Sequence, residues 1–286
     1  MRKGVCVDRA ETIMASMAAG VGEPAVQLAQ TRFRMGLVEG WGIPAGASVL
    51  EIGCGQGDMT AVLADAVGPT GRVVAVDIAD PSYGAPVTLG DSAAFLLASP
   101  LGARIDMRFQ VDVLDPAMSF AADEFDYVVL SHCSWYFASI EQVDHVLGRI
   151  RPWARRLCFA EWDLRPHTLD QVPHLLAVLI QGQIEASGAR GDGNVRTPFS
   201  RDALLRSLSR TRWQVADARS VSAGTLQDAD WEIAACLATA ADVGRLSGLP
   251  GLVLDFVASQ VDVLRSLAEP KGNTPLPSYA LVARRD

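Results

Sequence analysis

The chain has 286 residues, of which 49% are hydrophobic and 20% are charged, and its formal net charge is −8. This apolar fraction excludes an intrinsically disordered chain, and the length is sufficient for a large buried core. The longest apolar run, residues 175–180, is far shorter than the ~20 residues of a membrane-spanning helix. The acidic balance disfavours nucleic acid as the main partner. We therefore expect a globular protein with neither a membrane nor a nucleic-acid partner.

The cysteines and the N-terminus bear on the cell compartment. The five cysteines are odd in number and widely separated, at positions 6, 54, 133, 158 and 236. Such spacing fits neither a disulfide framework nor a zinc site, and it predicts reduced, mostly buried thiols. The first residues are followed by Asp8 and Glu11 rather than by the apolar stretch of a signal peptide. The prediction is a cytoplasmic protein.

Strand and helix patterns alternate along most of the chain. Short apolar runs predict strands at 47–52, 72–78, 105–111, 125–131, 156–161, 213–221 and 278–284. Helical periodicity predicts helices at 59–66, 92–99, 140–150 and 169–186, and another that begins after Ser200 as its N-cap. Residues 1–45 and 225–274 also have helical patterns. This alternation is typical of a parallel sheet covered by helices on both faces.

The segment from Val49 to Thr60 carries the strongest motif. A strand ends next to an acidic residue, glycines follow at positions 53, 55 and 57, and a helix begins after them. Glycine permits positive φ and the close approach of a ligand to the backbone, and a helix N-terminus offers unpaired N–H groups. Asp77 ends the next strand, where a carboxylate can accept hydrogen bonds from ribose hydroxyls. The segment predicts a site for a ribose-containing cofactor.

Two cofactor classes use this geometry, and the glycine spacing separates them. The dinucleotide fingerprint Gly-x-Gly-x-x-Gly requires glycine where this chain has Asp58. Glu51 followed by Gly53, Gly55 and Gly57 instead resembles motif I of the class I S-adenosylmethionine-dependent methyltransferases. The resemblance covers residues 46–165, 200–224 and 275–286. It implies an α/β fold with a seven-stranded, mostly parallel, doubly wound Rossmann-like sheet whose seventh strand is antiparallel.

The resemblance also implies S-adenosylmethionine as the cofactor and S-adenosylhomocysteine as the product. Asp77 matches the family's ribose-binding acid, and Asp112 matches the acid that meets the adenine amino group. Residues 125–131 match the fourth strand, whose end faces the transferable methyl group. The predicted cofactor-binding residues lie at the ends of the first four strands: Glu51, Gly53, Cys54, Gly55, Gly57, Asp77, Ile78, Asp112, Val113, Ser131 and His132.

Candidate catalytic residues follow the fourth and fifth strands, because ligands of open α/β sheets bind at the carboxyl ends of strands. His132 titrates near neutrality and is a candidate for taking a proton from the methyl acceptor. The alternative is a ring that packs against the adenosine or caps the following helix. Glu161 and Asp163 are candidates for a base or for the anchor of a cationic amine, with a capping role as the alternative.

Aromatic residues gather at the same strand ends, although only 7% of the chain is aromatic. Trp135 and Tyr136 follow the fourth strand and Trp162 follows the fifth, so they predict a flat apolar slot for an aromatic acceptor. Core packing is the alternative for at least one of them. Phe33 and Trp231, which lie in the two helical stretches, complete the predicted substrate-binding residues.

The segments outside the resemblance are interpreted as helical additions to a single fold. Residues 1–45 are predicted to form a helical lid that brings Gln27, Gln30 and Arg32 toward the cofactor or the acceptor. Residues 46–286 form the methyltransferase domain, with additions at 166–199 and 225–274. The second addition departs most from the family pattern and is predicted to be a lid, a substrate wall or a dimer surface.

One spacing is compatible with a metal. His167, Asp170 and His174 fall on one face of a predicted helix, and both residue types bind metal ions. A polar helix face or a contact that gates the substrate explains the same spacing. We predict no metal site.

Together these features predict an enzyme that transfers a methyl group from S-adenosylmethionine to a carbon, nitrogen or oxygen atom of a small molecule. The aromatic residues favour an aromatic or heteroaromatic, indole-like acceptor. The Arg-rich, Lys-poor composition favours a bacterial source and natural product biosynthesis. The sequence is compatible with a monomer and with a homodimer. The alternatives are an NAD(P)-dependent oxidoreductase and a non-catalytic S-adenosylmethionine-binding module.

Overall fold

The computed structural model describes residues 8–21, 23–191 and 193–285. The first seven residues of the predicted lid, which include the N-terminus and Cys6, lie outside the described residues. Seven strands form one sheet in the order β3-β2-β1-β4-β5-β7-β6. Strands β1 to β5 are parallel to one another, and β7 runs antiparallel to both β5 and β6. The predicted fold class is confirmed.

The strands occupy the apolar runs that predict them. Their bounds are β1 Ser48–Ile52, β2 Arg72–Val76, β3 Ile105–Arg108, β4 Phe125–Ser131, β5 Ala154–Trp162, β6 Trp213–Val221 and β7 Ser278–Arg285. The central strands are buried on both faces, which explains their continuous apolar sequences.

Two strands end earlier than predicted. The expected strand 72–78 ends at Val76, and the expected strand 105–111 ends at Arg108. Beyond these points the chain turns, because Gln110 has a positive φ and its N–H donates to the Ala79 carbonyl. Asp77 therefore lies in a loop rather than inside the strand.

Ten α-helices surround the sheet in the described residues. Their bounds are α1 Arg9–Met14, α2 Pro24–Trp41, α3 Asp58–Val67, α4 Leu89–Leu97, α5 Ile140–Ile150, α6 Val172–Ala186, α7 Arg201–Arg210, α8 Asp228–Ala241, α9 Val243–Leu246 and α10 Gly251–Leu267. Ser200 caps α7 as predicted, since its hydroxyl oxygen accepts a hydrogen bond from the Ala203 N–H. The expected helix 169–186 begins as a 3-10 turn at Leu169–Gln171, and the α-helix starts only at Val172.

The helices fall into three packed groups. Helices α1, α2, α3 and α4 bury apolar side chains against one face of the sheet, and α5 and α7 cover the other face. Helices α6, α8, α9 and α10 share a smaller apolar cluster of their own, which includes Ile180, Ile233 and Leu264. The additions at 166–199 and 225–274 therefore pack mainly against each other, at one end of the sheet. No helix among the described residues is long and apolar enough to cross a membrane.

Helix α6 is held close to the segment before α7. A Cβ atom on Gly182 would lie 2.4 Å from Cγ and 2.7 Å from Cδ of Pro198. Gly148, on α5, has no neighbouring atom within 4 Å of the same position. A side chain at position 182 would therefore overlap Pro198, whereas one at position 148 would not meet a neighbouring atom.

We expect Gly182→Ala to destabilise the protein by roughly 1–3 kcal/mol, because the new methyl overlaps a rigid proline ring. Gly148→Ala is the matched control and should stabilise it by about 0.5–1 kcal/mol through helix propensity. The free energy of unfolding, measured in urea, distinguishes them. Equal effects of the two variants would contradict the packing of α6 on Pro198.

Candidate active site

The candidate site lies where the chain order of the sheet reverses. Strand β1 pairs with β2 on one side and with β4 on the other, so the connections that leave these strands run in opposite directions. A crevice forms at the carboxyl ends of strands at such a point, and ligands of α/β sheets bind there. The glycine turn after β1 and the segment after β4 lie side by side there, since Gly53 packs against Cys133.

The three motif glycines have positive φ, and their surroundings differ. The φ values are +76° at Gly53, +51° at Gly55 and +89° at Gly57. A Cβ atom on Gly53 would lie 2.6 Å from Cβ of Cys133, and one on Gly57 would lie 2.9 Å from Cδ2 of Leu96. A Cβ atom on Gly55 would have no described atom within 4 Å. Gly53 and Gly57 thus allow close packing, whereas Gly55 keeps open space beside the turn.

Three predicted cofactor residues line the rim of the crevice beyond β2 and β3. The Asp77 carboxylate accepts hydrogen bonds from the N–H groups of Gly55, at 2.8 Å, and Ala79, at 2.9 Å. One oxygen of the exposed Asp112 carboxylate accepts the Leu114 N–H at 2.8 Å. Ile78 between them is 65% exposed, which is unusual for a large apolar side chain in this protein. An apolar surface flanked by two carboxylates results.

Other predicted cofactor residues lie behind the turn. Glu51 is buried and accepts a hydrogen bond from the Thr60 hydroxyl at 2.6 Å. Burial raises the pKa of Glu51 to about 8, so the carboxyl is mainly protonated at neutral pH. Cys54 is buried too, and burial raises the pKa of its thiol, so it is no nucleophile. Val113 packs into the core next to Phe125 and Trp135. Glu51 and Cys54 thus support the turn from inside, and Val113 is part of the main core.

Helix α2 brings a row of polar side chains to the glycine turn. Gln27 donates a hydrogen bond to Asp58, the first residue of α3, at 3.0 Å. Arg34 donates to the side-chain oxygen of Gln30 at 3.0 Å and forms an ion pair with Asp58 at 3.4 Å. Gln30 in turn donates to Asp228, the first residue of α8, at 2.8 Å. The row connects the predicted lid, the glycine turn and the second addition.

Of the three polar α2 residues that the sequence points to, Gln27 and Gln30 belong to this row and Arg32 does not. Arg32 points away from the site and pairs with Asp8 at the surface. Arg34 was missed, although its spacing of seven residues from Gln27 puts both on one helix face. Its guanidinium lies within electrostatic range of Glu51, His132 and Asp228.

His132 is held on all sides. Its φ is +51°, its backbone N–H donates to the Ala160 carbonyl, and both ring nitrogens have hydroxyl partners. The Nδ1 atom lies 3.2 Å from Oγ of Ser131, and Nε2 lies 2.7 Å from Oγ of Ser278. Burial, with a smaller contribution from Arg34, lowers the pKa of His132 to about 3. The ring is neutral at physiological pH and is a weak base.

The two carboxyl groups at the end of β5 are buried. Glu161 is buried, and one of its oxygens accepts both the N–H, at 3.1 Å, and the hydroxyl, at 2.6 Å, of Ser134. Burial raises the pKa of Glu161 to about 7. Asp163 is buried and accepts the Arg165 N–H at 3.1 Å. Of the two roles considered for these residues, the structure favours capping: Glu161 fixes the turn that follows β4.

Four rings form a continuous series of edge-on contacts across the site: Phe33, His132, Trp162 and His174. Phe33 lies edge-on to His132 at 5.6 Å between ring centroids, and His132 lies edge-on to Trp162 at 5.1 Å. Trp162 lies edge-on to His174 at 5.4 Å. The series therefore joins α2 to α6 across the ends of β4 and β5.

The remaining predicted aromatic residues divide between core and surface. Trp135 is buried in the main core, so for this residue the packing alternative holds. Tyr136 is 47% exposed, and its hydroxyl lies within electrostatic range of Glu232 on α8. Trp231, on the same helix, is 51% exposed. Asp228 and Glu232 occupy the inner face of α8, and burial raises the pKa of both carboxyls.

The His167, Asp170 and His174 pattern does not converge on one point. The 3-10 turn before α6 separates the side chains: Asp170 interacts with Thr168 and Thr274, whereas His174 is fully buried and accepts the Leu276 N–H. In the part of the chain that the structure describes, no group of three or more His, Cys, Asp or Glu side chains could hold a metal ion.

Comparison with known proteins identifies the class. A family model described as "Methyltransferase domain" matches residues 49–156, and one described as protein-L-isoaspartate(D-aspartate) O-methyltransferase matches residues 15–81. A methyltransferase of Diaporthe leptostromiformis, phomM′, is 31% identical over 164 residues, which are 50% of this chain and 42% of that protein. The chain thus spans less than half the length of this curated relative.

Solved structures match over more of the chain. A cyclopropane-fatty-acyl-phospholipid synthase-like protein from Lactobacillus casei is 35% identical, with a TM-score of 0.87, over 96% of this chain and 98% of that one. The [4+2]-cyclase SpnF has a TM-score of 0.54 at 16% identity, over 89% of this chain and 80% of that one, and shows a common fold alone. The chain belongs to the class I S-adenosylmethionine-dependent methyltransferases, as the sequence predicts.

The crevice fits the cofactor of this family. The open space beside Gly55 is where a Cβ atom would enter, and the N-terminus of α3 faces it. The free lone pairs of the Asp77 and Asp112 carboxylates suit the hydroxyls of a ribose and the amino group of an adenine, and the exposed Ile78 side chain suits a flat ring. The expected cofactor, S-adenosylmethionine, is confirmed at the level of the family.

We expect Gly55→Ala to weaken S-adenosylmethionine binding by roughly tenfold or more, because the methyl group would occupy the space beside the turn. The left-handed backbone adds a stability cost of about 1 kcal/mol. Gly42→Ala is the matched control, because Gly42 has a φ of +66° and open space but lies far from the crevice. Titration calorimetry measures the affinity, and unchanged binding to Gly55→Ala would contradict the assignment of the open space.

The raised pKa of Glu51 predicts a pH-dependent stability. The folded protein binds a proton at Glu51 more tightly than the unfolded chain does, so this residue's contribution falls as pH rises from about 4.5 to about 8. Glu51→Gln should reduce that fall by roughly 1–3 kcal/mol. Urea unfolding of the wild type, Glu51→Gln and the exposed control Glu39→Gln, each at both ends of this range, provides the measurement. The same fall in all three proteins would refute the prediction.

Proposed function

We propose that this protein transfers the methyl group of S-adenosylmethionine to a small molecule with an aromatic or heteroaromatic ring. The observation that carries the proposal is the edge-on series of Phe33, His132 and Trp162 beside the glycine turn. Flat rings stack on or pack edge-to-face with such side chains. An indole-like ring is the acceptor that we favour within this class.

When bound, S-adenosylmethionine supplies an electrophilic methyl group on a positively charged sulfur. The chain's own contribution is to hold the acceptor in line with that group and to exclude water, which converts the encounter into an intramolecular step. We assign the acceptor to the space between the carboxyl edge of the sheet and helices α2, α6 and α8. Phe33, Tyr136 and Trp162 would orient its ring, and Trp231 would cover the entrance.

The polar row on α2 is assigned to closure of the site. Arg34 and Gln27 hold Asp58 at the start of α3, and Gln30 holds Asp228 at the start of α8. This arrangement supports the predicted role of residues 1–45 as a lid and, of the three roles considered for residues 225–274, that of a substrate wall. The carboxyl groups of Asp228 and Glu232, which accept hydrogen bonds from Gln30 and Gln181, make that wall polar.

Three expectations about the cellular context remain proposals. The described cysteines, Cys54, Cys133, Cys158 and Cys236, are all free thiols, in keeping with a cytoplasmic protein. Natural product biosynthesis in a bacterium rests on the composition. A homodimer would use the outer face of α10, where Leu252 and Phe256 are exposed apolar residues.

The function is tested by incubating the purified chain with S-adenosylmethionine and single acceptors. The panel contains indoles, phenols, N-heteroaromatic compounds and, because of the synthase-like relative, vesicles of unsaturated phospholipid. Mass spectrometry measures S-adenosylhomocysteine and the methylated product. We expect turnover with an aromatic acceptor. Turnover with the phospholipid alone would overturn the acceptor class, and cofactor binding without product from any acceptor would favour a non-catalytic module.

A matched pair of variants tests the position of the acceptor. Phe33→Leu should raise KM for the acceptor by roughly tenfold through loss of the ring contact, with unchanged affinity for S-adenosylmethionine. Phe256→Leu makes the same change at an exposed position on α10 and should leave both constants unchanged. Equal effects of the two variants would remove Phe33 from the acceptor site.

A further inference from the structure

Ser278 makes a contact with the site that the sequence motifs do not contain. It is the first residue of β7, is fully buried, and pairs in register with Trp162 of β5 and Val221 of β6. Its Oγ atom lies 2.7 Å from Nε2 of His132. Among the described residues this is the one side-chain hydrogen bond of the Ser278 hydroxyl.

The proton of the Ser278 hydroxyl has one hydrogen-bond acceptor among the described residues. A buried O–H without an acceptor costs free energy, and the Ser278 hydroxyl has Nε2 of His132 as its acceptor. If Ser278 donates to Nε2, a neutral imidazole carries its proton on Nδ1. That nitrogen then donates to Oγ of Ser131, at 3.2 Å. Both ring nitrogens have a partner in either tautomer. The opposite tautomer would leave the proton of the fully buried Ser278 unpaired, whereas this one releases the proton of the less buried Ser131.

The segment before β7 holds Ser278 rigidly. The carbonyl of Pro275 accepts from the Gln171 side chain at 2.8 Å, and that of Pro277 accepts the Asp163 N–H at 2.7 Å. The N–H of Leu276 donates to Nδ1 of His174 at 2.9 Å. Every residue from Pro275 to Ser278 is buried. The second addition therefore rejoins the sheet through a segment that is bonded to the end of β5 and to the α6 region.

We propose that Ser278 is a positioning residue for methyl transfer: its hydroxyl holds His132 as the neutral Nδ1–H tautomer, with no lone pair left to accept a proton. The role in methyl transfer rests on the proposed function. In this arrangement His132 forms a fixed wall of the acceptor site between Phe33 and Trp162. It does not act as a base. The acceptor then arrives with its nucleophilic electron pair already available, as the π-face of an electron-rich ring or an unprotonated nitrogen provides.

The tautomer is measured directly in the 286-residue chain labelled with ¹⁵N. Long-range proton–nitrogen NMR spectra distinguish the two neutral tautomers of each of the four histidines, and His132→Gln identifies the signals of His132. The wild type should contain His132 as the Nδ1–H form. In Ser278→Ala, the Nε2 atom loses its donor, and the signals should move toward a mixture of tautomers. Ser207→Ala removes a fully buried hydroxyl on α7 and is the matched control.

Two results would overturn the proposal: an Nε2–H tautomer in the wild type, or an unchanged tautomer in Ser278→Ala. The wild-type spectrum decides the question even if Ser278→Ala does not fold, and neither spectrum requires a known acceptor. If no acceptor is turned over, the proposed function fails and the tautomer assignment is still tested.

Steady-state kinetics of the same variants are measured with the acceptor that the panel of candidate acceptors identifies. Ser278→Ala should lower kcat by about 10- to 100-fold while KM for S-adenosylmethionine changes by less than about threefold, because the wall of the acceptor site is displaced. Ser207→Ala should leave both constants unchanged. A wild-type kcat in Ser278→Ala would contradict a positioning role.

Discussion

The close approach of backbone and side chains at the turn between β1 and α3 is the constraint on which the site depends. Gly53 lies against Cys133, and Gly57 lies against Leu96 and Met107, so β1, β4 and α4 can meet at one point only if these positions have no side chain. The same turn leaves Gly55 facing open space. One short segment thereby joins the core of the sheet to the crevice, and its positive φ angles determine where the N-terminus of α3 points.

Around this turn the protein uses buried carboxyl groups as structural elements. Glu51 accepts a hydrogen bond from the Thr60 hydroxyl of α3, and Glu161 accepts one from the Ser134 hydroxyl after β4. Burial raises the pKa of both, so each binds a proton more readily in the folded state than in the unfolded chain. The sequence makes Glu161 a catalytic candidate and Glu51 a cofactor-binding candidate, yet in the structure both accept hydrogen bonds from segments that carry predicted binding residues.

The helical additions contact the candidate site. Helix α2 reaches the glycine turn through Asp58 and reaches α8 through Asp228, and α6 contributes His174 to the aromatic series. The segment 275–278 closes the arrangement by joining the end of the second addition to His132 and to β5. Elements remote in sequence therefore meet on one histidine, whose ring nitrogens bond to residues 131 and 278.

The sequence by itself determined the sheet, its crevice and the cofactor class, because these depend on local signals. Apolar runs mark buried strands, and glycine spacing marks a turn that the backbone can form in few ways. Only the tertiary structure decided what the polar residues do. Arg34 rather than Arg32 faces the site, Glu161 points inward, and His132 bonds to Ser278 across 146 positions. Side-chain direction, burial and long-range hydrogen bonds follow from how the elements pack, and no local pattern encodes them.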